Sequence, residues 1–375
     1  MTWLDYTNQK LDRAAHVAGN AVSPFRVCTA TALGLATVVA LGFAVLLGLS
    51  PAVVLLLLVV NLLAAFALGL TIKVVTGSER HTHYHYEIVV AVVSVITLWS
   101  LGLPVLPYLD VLVIGKGVLL AIGRVGCFMV GCCHGRPCRM GVCYSEVKSG
   151  FARHYLGVRL LPIQLIESLI VWFLTGLGGY LLLSDAQPGT SLSVYVVGYG
   201  SARFFIEFLR GDPHRPYFWS FSEAQWTALL LLGLVVLLQY TSVLPFHVSL
   251  VIVAGSVWLA MLTVSLRRCL WQTEYKFVAP RHIAEIARAF ELVSRAAPDK
   301  IVTARTSQGI QVSASHTELI DHYSLSQRDG EMSEETARFL LRLAPRLAPE
   351  SVYSTKVIGR NRRVFHLLVY RTAGN

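Results

Sequence analysis

Eight long apolar runs leave this chain few ways to fold. A helix needs about 20 mostly apolar residues to cross the hydrocarbon of a bilayer. The runs lie at roughly 29–48, 52–74, 88–106, 109–130, 162–183, 192–209, 224–241 and 246–266. Inside lipid each segment must satisfy its own backbone hydrogen bonds, so runs of this kind become helices. Only a turn around Ser50-Pro51 parts the first two, and Pro104 to Asp110 parts the third and fourth. Either tight pair is compatible with a re-entrant or tilted element. Composition agrees, with 14% charged residues where an ordinary soluble domain carries about 25%. The expected fold class is an all-α polytopic membrane bundle of about seven to eight transmembrane helices, with a small C-terminal α+β domain.

The expected domain boundaries follow the same pattern. Residues 1–28 read as an amphipathic juxtamembrane segment, 29–268 as the membrane domain and 280–375 as a soluble domain. No short apolar region leads to a small-residue cleavage site, so a removable signal peptide is not expected. The net charge of +10 sits in loops and tail, where it suits anionic lipid head groups. No zinc-finger spacing or RNA-recognition signature accompanies it, so nucleic acid is not an expected partner. Loops around residues 50, 107, 185 and 243 hold no Lys or Arg, whereas the alternate loops hold Lys73, Arg80, Arg136, Lys148, Arg153 and Arg215. The positive-inside rule then places both termini in the cytoplasm.

Beyond Pro280 the residues suit a small α+β unit. "PRHIAEIARAFELVSRAA" reads as an amphipathic helix with Pro near its start, and "KIVTARTSQGIQVSASH" as two strands joined around Gly309. "MSEETARFLLRLAPRL" reads as a second helix with Ser333 as N-cap. "SVYSTKVIGRNRRVFHLLVYR" reads as a hairpin turning at Gly359 to Asn361. No catalytic motif lies there.

Charged side chains within a bilayer are costly and usually face a cavity, a partner or a substrate. In "VGYGSARFFIEFLRGD", Tyr199, Arg203, Glu207 and Arg210 fall on one helical face. An Arg203–Glu207 bridge that merely holds helices together is the structural alternative. A second guanidinium and a phenol on the same face exceed that need, and guanidinium pairs suit an anionic phosphate. Gln164 and Glu167 lie three apart near the start of the fifth run, and Glu167 requires a cationic partner. Arg124 lies between Gly123 and Gly126, which let another backbone or a head group approach. Lys116, two turns earlier, calls for an internal carboxylate. In "GSERHTHYHYEI", His81, His83 and His85 alternate with polar and aromatic residues, as in a strand or an extended loop. A metal site, a catalytic histidine and an interfacial belt all remain open there.

"GRVGCFMVGCCHGRPCRMGVC" carries Cys127, Cys132, Cys133, Cys138 and Cys143. Structural zinc sites favour cysteine pairs with two to four residues between them; here the successive separations are five, one, five and five, the fives at the far end of that range. Adjacent Cys132 and Cys133 are awkward ligands for one tetrahedral ion. Disulfides, an active-site thiol and simple packing are the other readings.

Taken in order, these pieces resemble the prolipoprotein diacylglyceryl transferase family. Its G-R-x-G signature corresponds to "GRVGCFMVGCCHGR", at Gly123, Arg124, Gly126, Phe128, Gly131, Gly135 and Arg136. Its later Y-G-x-x-R-F-x-x-E-F-x-R motif reads "YGSARFFIEFLR", and its P-x-Q-L-x-E segment reads "PIQLIE" from Pro162 to Glu167. The resemblance implies a multi-pass protein of the cell (inner) membrane, with the signature facing its outer side. It implies transfer of diacylglyceryl from phosphatidylglycerol to the thiol of a prolipoprotein signal peptide, with no cofactor and no metal. Carried onto this chain, it implies catalytic roles for His85, Arg124, Arg203 and Glu207. Tyr199, Arg210, Gln164, Glu167, Gly126 and His134 would bind substrate. Cys127, Cys132 and Leu161 replace polar residues of the family pattern. Those changes leave open a transferase with another acceptor, or a non-catalytic membrane sensor of thiols or metals.

Overall fold

The structure is a computed structural model that describes residues 3–16, 23–77, 83–145, 151, 155–212, 215–219, 221–270, 276–295, 301–317, 320–327, 332–341, 355–360 and 364–370. Arg80, His81, Lys148, Arg153 and Asn361, named above, lie outside them. The chain forms two compact units.

The first unit is helical. A short helix α1 (Trp3–His16) precedes α2 (Pro24–Leu46), α3 (Pro51–Thr76), α4 (His83–Ser100) and α5 (Val105–Val130). After an interruption come α6 (Ile163–Leu183), α7 (Thr190–Leu209), α8 (Glu223–Tyr240) and α9 (Val248–Leu270). Between α5 and α6 the interruption holds a two-stranded pair, β1 (Pro137–Cys143) and β2 (Arg159–Leu160); another, β3 (Tyr217–Phe218) and β4 (Phe221–Ser222), precedes α8. The pair β1–β2 belongs to the second unit.

Helices α2 to α9 coincide with the eight apolar runs. Seven are long and apolar enough to cross a membrane, and α4 is a shorter apolar helix. Prolines open α2 and α3 at positions where no helical N–H is lost. Ser222 and Gln225 form a reciprocal capping box at the start of α8. Large apolar side chains such as Val38, Phe66, Trp99, Leu230 and Leu259 point outward, as a lipid-facing surface requires.

Between membrane helices lipid supplies no hydrophobic drive, so small residues and polar contacts hold the bundle. Ala32, Ala36, Ala40 and Ala44 form a buried stripe on α2. A Cβ on Gly115 of α5 would stand 3.1 Å from the Ala36 carbonyl oxygen, so the bare glycine lets these two backbones meet. Asn61 of α3 and Ser94 of α4 exchange buried hydrogen bonds of 2.9 and 3.1 Å. Ser168 of α6 donates to the Ala121 carbonyl of α5 at 2.8 Å.

One buried carboxylate orients α7. Asp110 on α5 accepts from the backbone N–H groups of Gly189 (2.5 Å) and Leu192 (2.7 Å). These are donors that a helix start cannot satisfy internally, and a negative charge there also complements the helix dipole. Asp110→Ala should cost about 2–4 kcal/mol, the sum of lost charge-assisted bonds and dipole interaction. Thermal unfolding in detergent measures it, with Asp110→Asn losing less. An unshifted Asp110→Ala melt would contradict this role.

In the second unit, α10 (Pro280–Ser294) and α11 (Glu334–Leu341) accompany a five-stranded antiparallel sheet. Its strands are β5 (Val302–Arg305), β6 (Ile310–His316), β7 (Ile320–Gln327), β8 (Thr355–Arg360) and β9 (Val364–Tyr370), ordered β5-β6-β7-β9-β8. Ile310, Val312 and Ala314 alternate inward along β6, and Ile286 and Phe290 of α10 are fully buried. The expected helices, the turn at Gly309 and the strands around it are present. The central strand β7 is an addition to the sequence reading. Its polar "DHYSLSQ" buries Tyr323 and Leu325 on one face, too few apolar residues to announce a strand.

His282 of α10 is clamped between the Phe277 carbonyl and the Thr306 hydroxyl, each at 2.8 Å. Burial pushes its pKa below the usual histidine value, against the pull of the Phe277 carbonyl. The unfolded chain therefore takes up this proton first as pH falls. The stability held by His282 is complete above about pH 6.5 and lost progressively below it. Hydrogen exchange of the sheet amides, corrected for intrinsic rate, should show protection falling from pH 7.5 to 5.5. His282→Gln should flatten that slope, and an unchanged slope would rule out His282 as its source.

Candidate active site

The site is a chain of buried ions shared by three helices. Glu167, on α6, is one hub. Its Oε1 lies 2.9 Å from Arg124 Nη2 of α5 and accepts from the Tyr199 hydroxyl of α7 at 2.8 Å. Arg203 Nη1 donates to both Glu167 oxygens at 3.3 Å. The cationic partner that Glu167 required is thus present twice.

Glu207, one turn along α7 from Arg203, is the second hub. Arg203 Nη2 lies 2.6 Å from its Oε1, and Arg210 Nη1 donates to the same oxygen at 3.3 Å. Arg215, in the loop after α7, donates to Glu207 Oε2 and also to the Arg210 carbonyl at 3.2 Å. Arg203 therefore bridges the hubs, with one guanidinium nitrogen on each carboxylate. The α7 spacing expected from sequence supplies this stripe directly. Arg215 was not among the expected site residues. It lies in a loop beyond the periodic pattern, and only its long side chain brings it back to Glu207.

Every member is almost fully withdrawn from solvent. Arg124, Glu167, Arg203, Glu207, Arg210 and Arg215 all rank as buried. An isolated buried charge costs several kcal/mol, so four guanidiniums and two carboxylates survive here only because they are cross-paired. Arg124 Nε nevertheless has no hydrogen-bond partner among the described residues, although it is buried. A donor left open beside a cationic network suits the oxygen of an anion.

The other expected residues divide. Gln164 donates from Nε2 to the Cys132 carbonyl at 2.7 Å and so pins the cysteine turn to α6. His134 is buried with Nδ1 2.9 Å from the Gly135 carbonyl. Gly126 serves helix packing, since a Cβ there would meet Cys28 Cβ of α2 at 3.0 Å and Phe25 close by. Lys116 finds its carboxylate in Glu87 of α4 and lies over the Tyr195 ring at 5.5 Å.

The histidine stretch differs from its expected form. From His83 onward "HYHYEI" is the first turn of α4, so alternation there does not mark a strand. Tyr84 and Glu87, three apart, turn inward, while His85 is partly exposed and pairs with Glu223 of α8, Nε2 to Oε1 2.7 Å. Among the described residues His85 shares no hydrogen bond or ion pair with the arginine–glutamate network.

Residues 85–241 match the family model described as prolipoprotein diacylglyceryl transferase. Over 109 residues the chain is 34% identical to a phosphatidylglycerol–prolipoprotein diacylglyceryl transferase of Clostridium tetani, covering 29% of this chain and 43% of the relative. Over 127 residues it is 32% identical to phosphatidylglycerol–prolipoprotein diacylglyceryl transferase 2 of Clostridium perfringens, covering 33% of this chain and 46% of the relative. The chain thus spans less than half the length of these curated relatives. No solved structure matches. All six ions of the buried network lie inside the stretch, residues 85–241, over which the chain is similar to the prolipoprotein diacylglyceryl transferase family.

Proposed function

We propose that this protein is a transferase of the cell (inner) membrane that moves diacylglyceryl from phosphatidylglycerol to a cysteine thiol of a prolipoprotein signal peptide. The observation that carries the reading is Arg203, held between Glu167 and Glu207 with Arg124 Nε open beside it. In this reaction the acceptor thiolate attacks the glyceryl carbon bonded to the phosphate oxygen. A carbon–sulfur bond forms, the carbon–oxygen bond breaks, and glycerol phosphate leaves with the extra negative charge.

Each residue then has a physical task. Arg124 and Arg203 hold the phosphate and stabilise the charge that grows on it, in a site dry enough to make that attraction strong. Glu167 and Glu207 keep the two guanidiniums fixed before substrate arrives, with Tyr199 and Arg210 completing the frame. His85, oriented by Glu223, takes the thiol proton, because the thiolate is the nucleophile. Gln164 and Gly126 act through the packing of α5, α6 and the cysteine turn, and His134 lines that same turn. Neither a nucleotide nor a metal enters these steps.

Complementation of a bacterial strain depleted of its own diacylglyceryl transferase tests the reading. Growth should be restored by the full chain and not by Arg203→Ala. Failure of the intact chain, with the protein confirmed in the membrane, would rule out this acceptor and donor pair.

A further inference from the structure

Three cysteine sulfurs converge where α5 ends. The Sγ atoms of Cys127, Cys132 and Cys133 all lie within 4.8 Å of one another. Their spacing in sequence argued against a shared ion because neighbouring residues ordinarily point apart. The backbone supplies the missing turn. Gly131 (φ 77°) and Cys133 (φ 54°) both take the left-handed conformation. Glycine adopts it freely, but for cysteine it is a strained state that the surrounding structure must hold in place. Two left-handed residues in three fold the chain back, so that Cys132 and Cys133 face Cys127 across the helix end. The Gln164 hydrogen bond to the Cys132 carbonyl locks that turn to α6.

We propose that Cys127, Cys132 and Cys133 form a three-thiolate binding site for a soft metal ion, of the copper(I) or zinc(II) class. Sulfurs about 2.3 Å from a common centre stand roughly 4 Å apart in a trigonal arrangement, so small side-chain rotations suffice. Soft thiolates select ions of this class over calcium or magnesium. Binding forms three sulfur–metal bonds and releases up to three thiol protons to solvent, with no change of oxidation state. Arg124 stands three residues before Cys127 on α5, and the Gln164 hydrogen bond ties the Cys132 turn to the helix that carries Glu167. The cage is therefore built into the frame of the arginine network, yet the proposal stands whether or not the protein transfers lipid.

Purified full-length protein, reduced and desalted, tests this with two separate titrations, copper(I) from a competing chelator and zinc(II) alone. One ion per chain should bind and protect three thiols from maleimide labelling. It should also raise the melting temperature, since an ion that binds only the folded state stabilises it. Cys132→Ser, at a half-buried position, and Cys133→Ser should each abolish the protection and the thermal shift. Cys138→Ser with Cys143→Ser should retain both. Absence of stoichiometric binding by either ion, or binding that survives Cys132→Ser and Cys133→Ser, would overturn the site.

Discussion

Arg203→Ala should lower diacylglyceryl transfer by about 100- to 1,000-fold, the usual consequence of removing one charge-stabilising donor from a preorganised site. The same variant should remain folded. Without Arg203, Glu167 keeps Arg124 and Tyr199, while Glu207 keeps Arg210 and Arg215. Neither carboxylate is stranded, so the loss falls on chemistry. Arg203→Lys sharpens the distinction, because lysine retains the charge but cannot address two carboxylates and a phosphate with one planar fork. It should recover only part of the activity. Initial rates of labelled lipid transfer, together with detergent melts of each variant, measure both sides. An Arg203→Ala protein with full activity would remove the arginine from the mechanism.

Glu207→Gln should do the reverse and strike the fold first. Three guanidiniums, from Arg203, Arg210 and Arg215, meet at this one carboxylate. Glutamine leaves their positive charges facing one another in a buried setting. Removing one partner of a buried ion pair costs about 3–5 kcal/mol, and here a single deletion affects three pairs. The expected result is a lower melting temperature and less protein in the membrane, with activity falling in parallel. Glu207→Asp keeps the charge at a shorter reach and should be intermediate. A Glu207→Gln protein that melts like the wild type would show that the hub does not hold the arginines together.

The helices were legible because a membrane allows so few alternatives. An apolar run of sufficient length must become a helix, and the observed elements begin and end within a few residues of the runs. The α7 stripe was equally legible, since Tyr199, Arg203 and Glu207 repeat every four residues. Contacts that depend on loops were hidden. Arg215 reaches Glu207 from beyond the helix, where no periodicity speaks for it. The convergence of Cys132 and Cys133 on Cys127 depends on two left-handed backbone positions, and only the glycine at 131 gave any hint of one. The first turn of α4 was misread for a related reason. Interfacial His and Tyr alternate in the sequence, yet Tyr84 and Glu87 are the pair that turns inward, at helical spacing.

The most direct measurement combines the purified protein, phosphatidylglycerol labelled in its acyl chains and a lipobox peptide with one cysteine. The expected result is a labelled thioether on that cysteine with release of glycerol phosphate, both lost in Arg203→Ala. Folded protein that forms no thioether, or forms it equally well without Arg203, would contradict the proposal that the buried arginine–glutamate network drives lipid transfer.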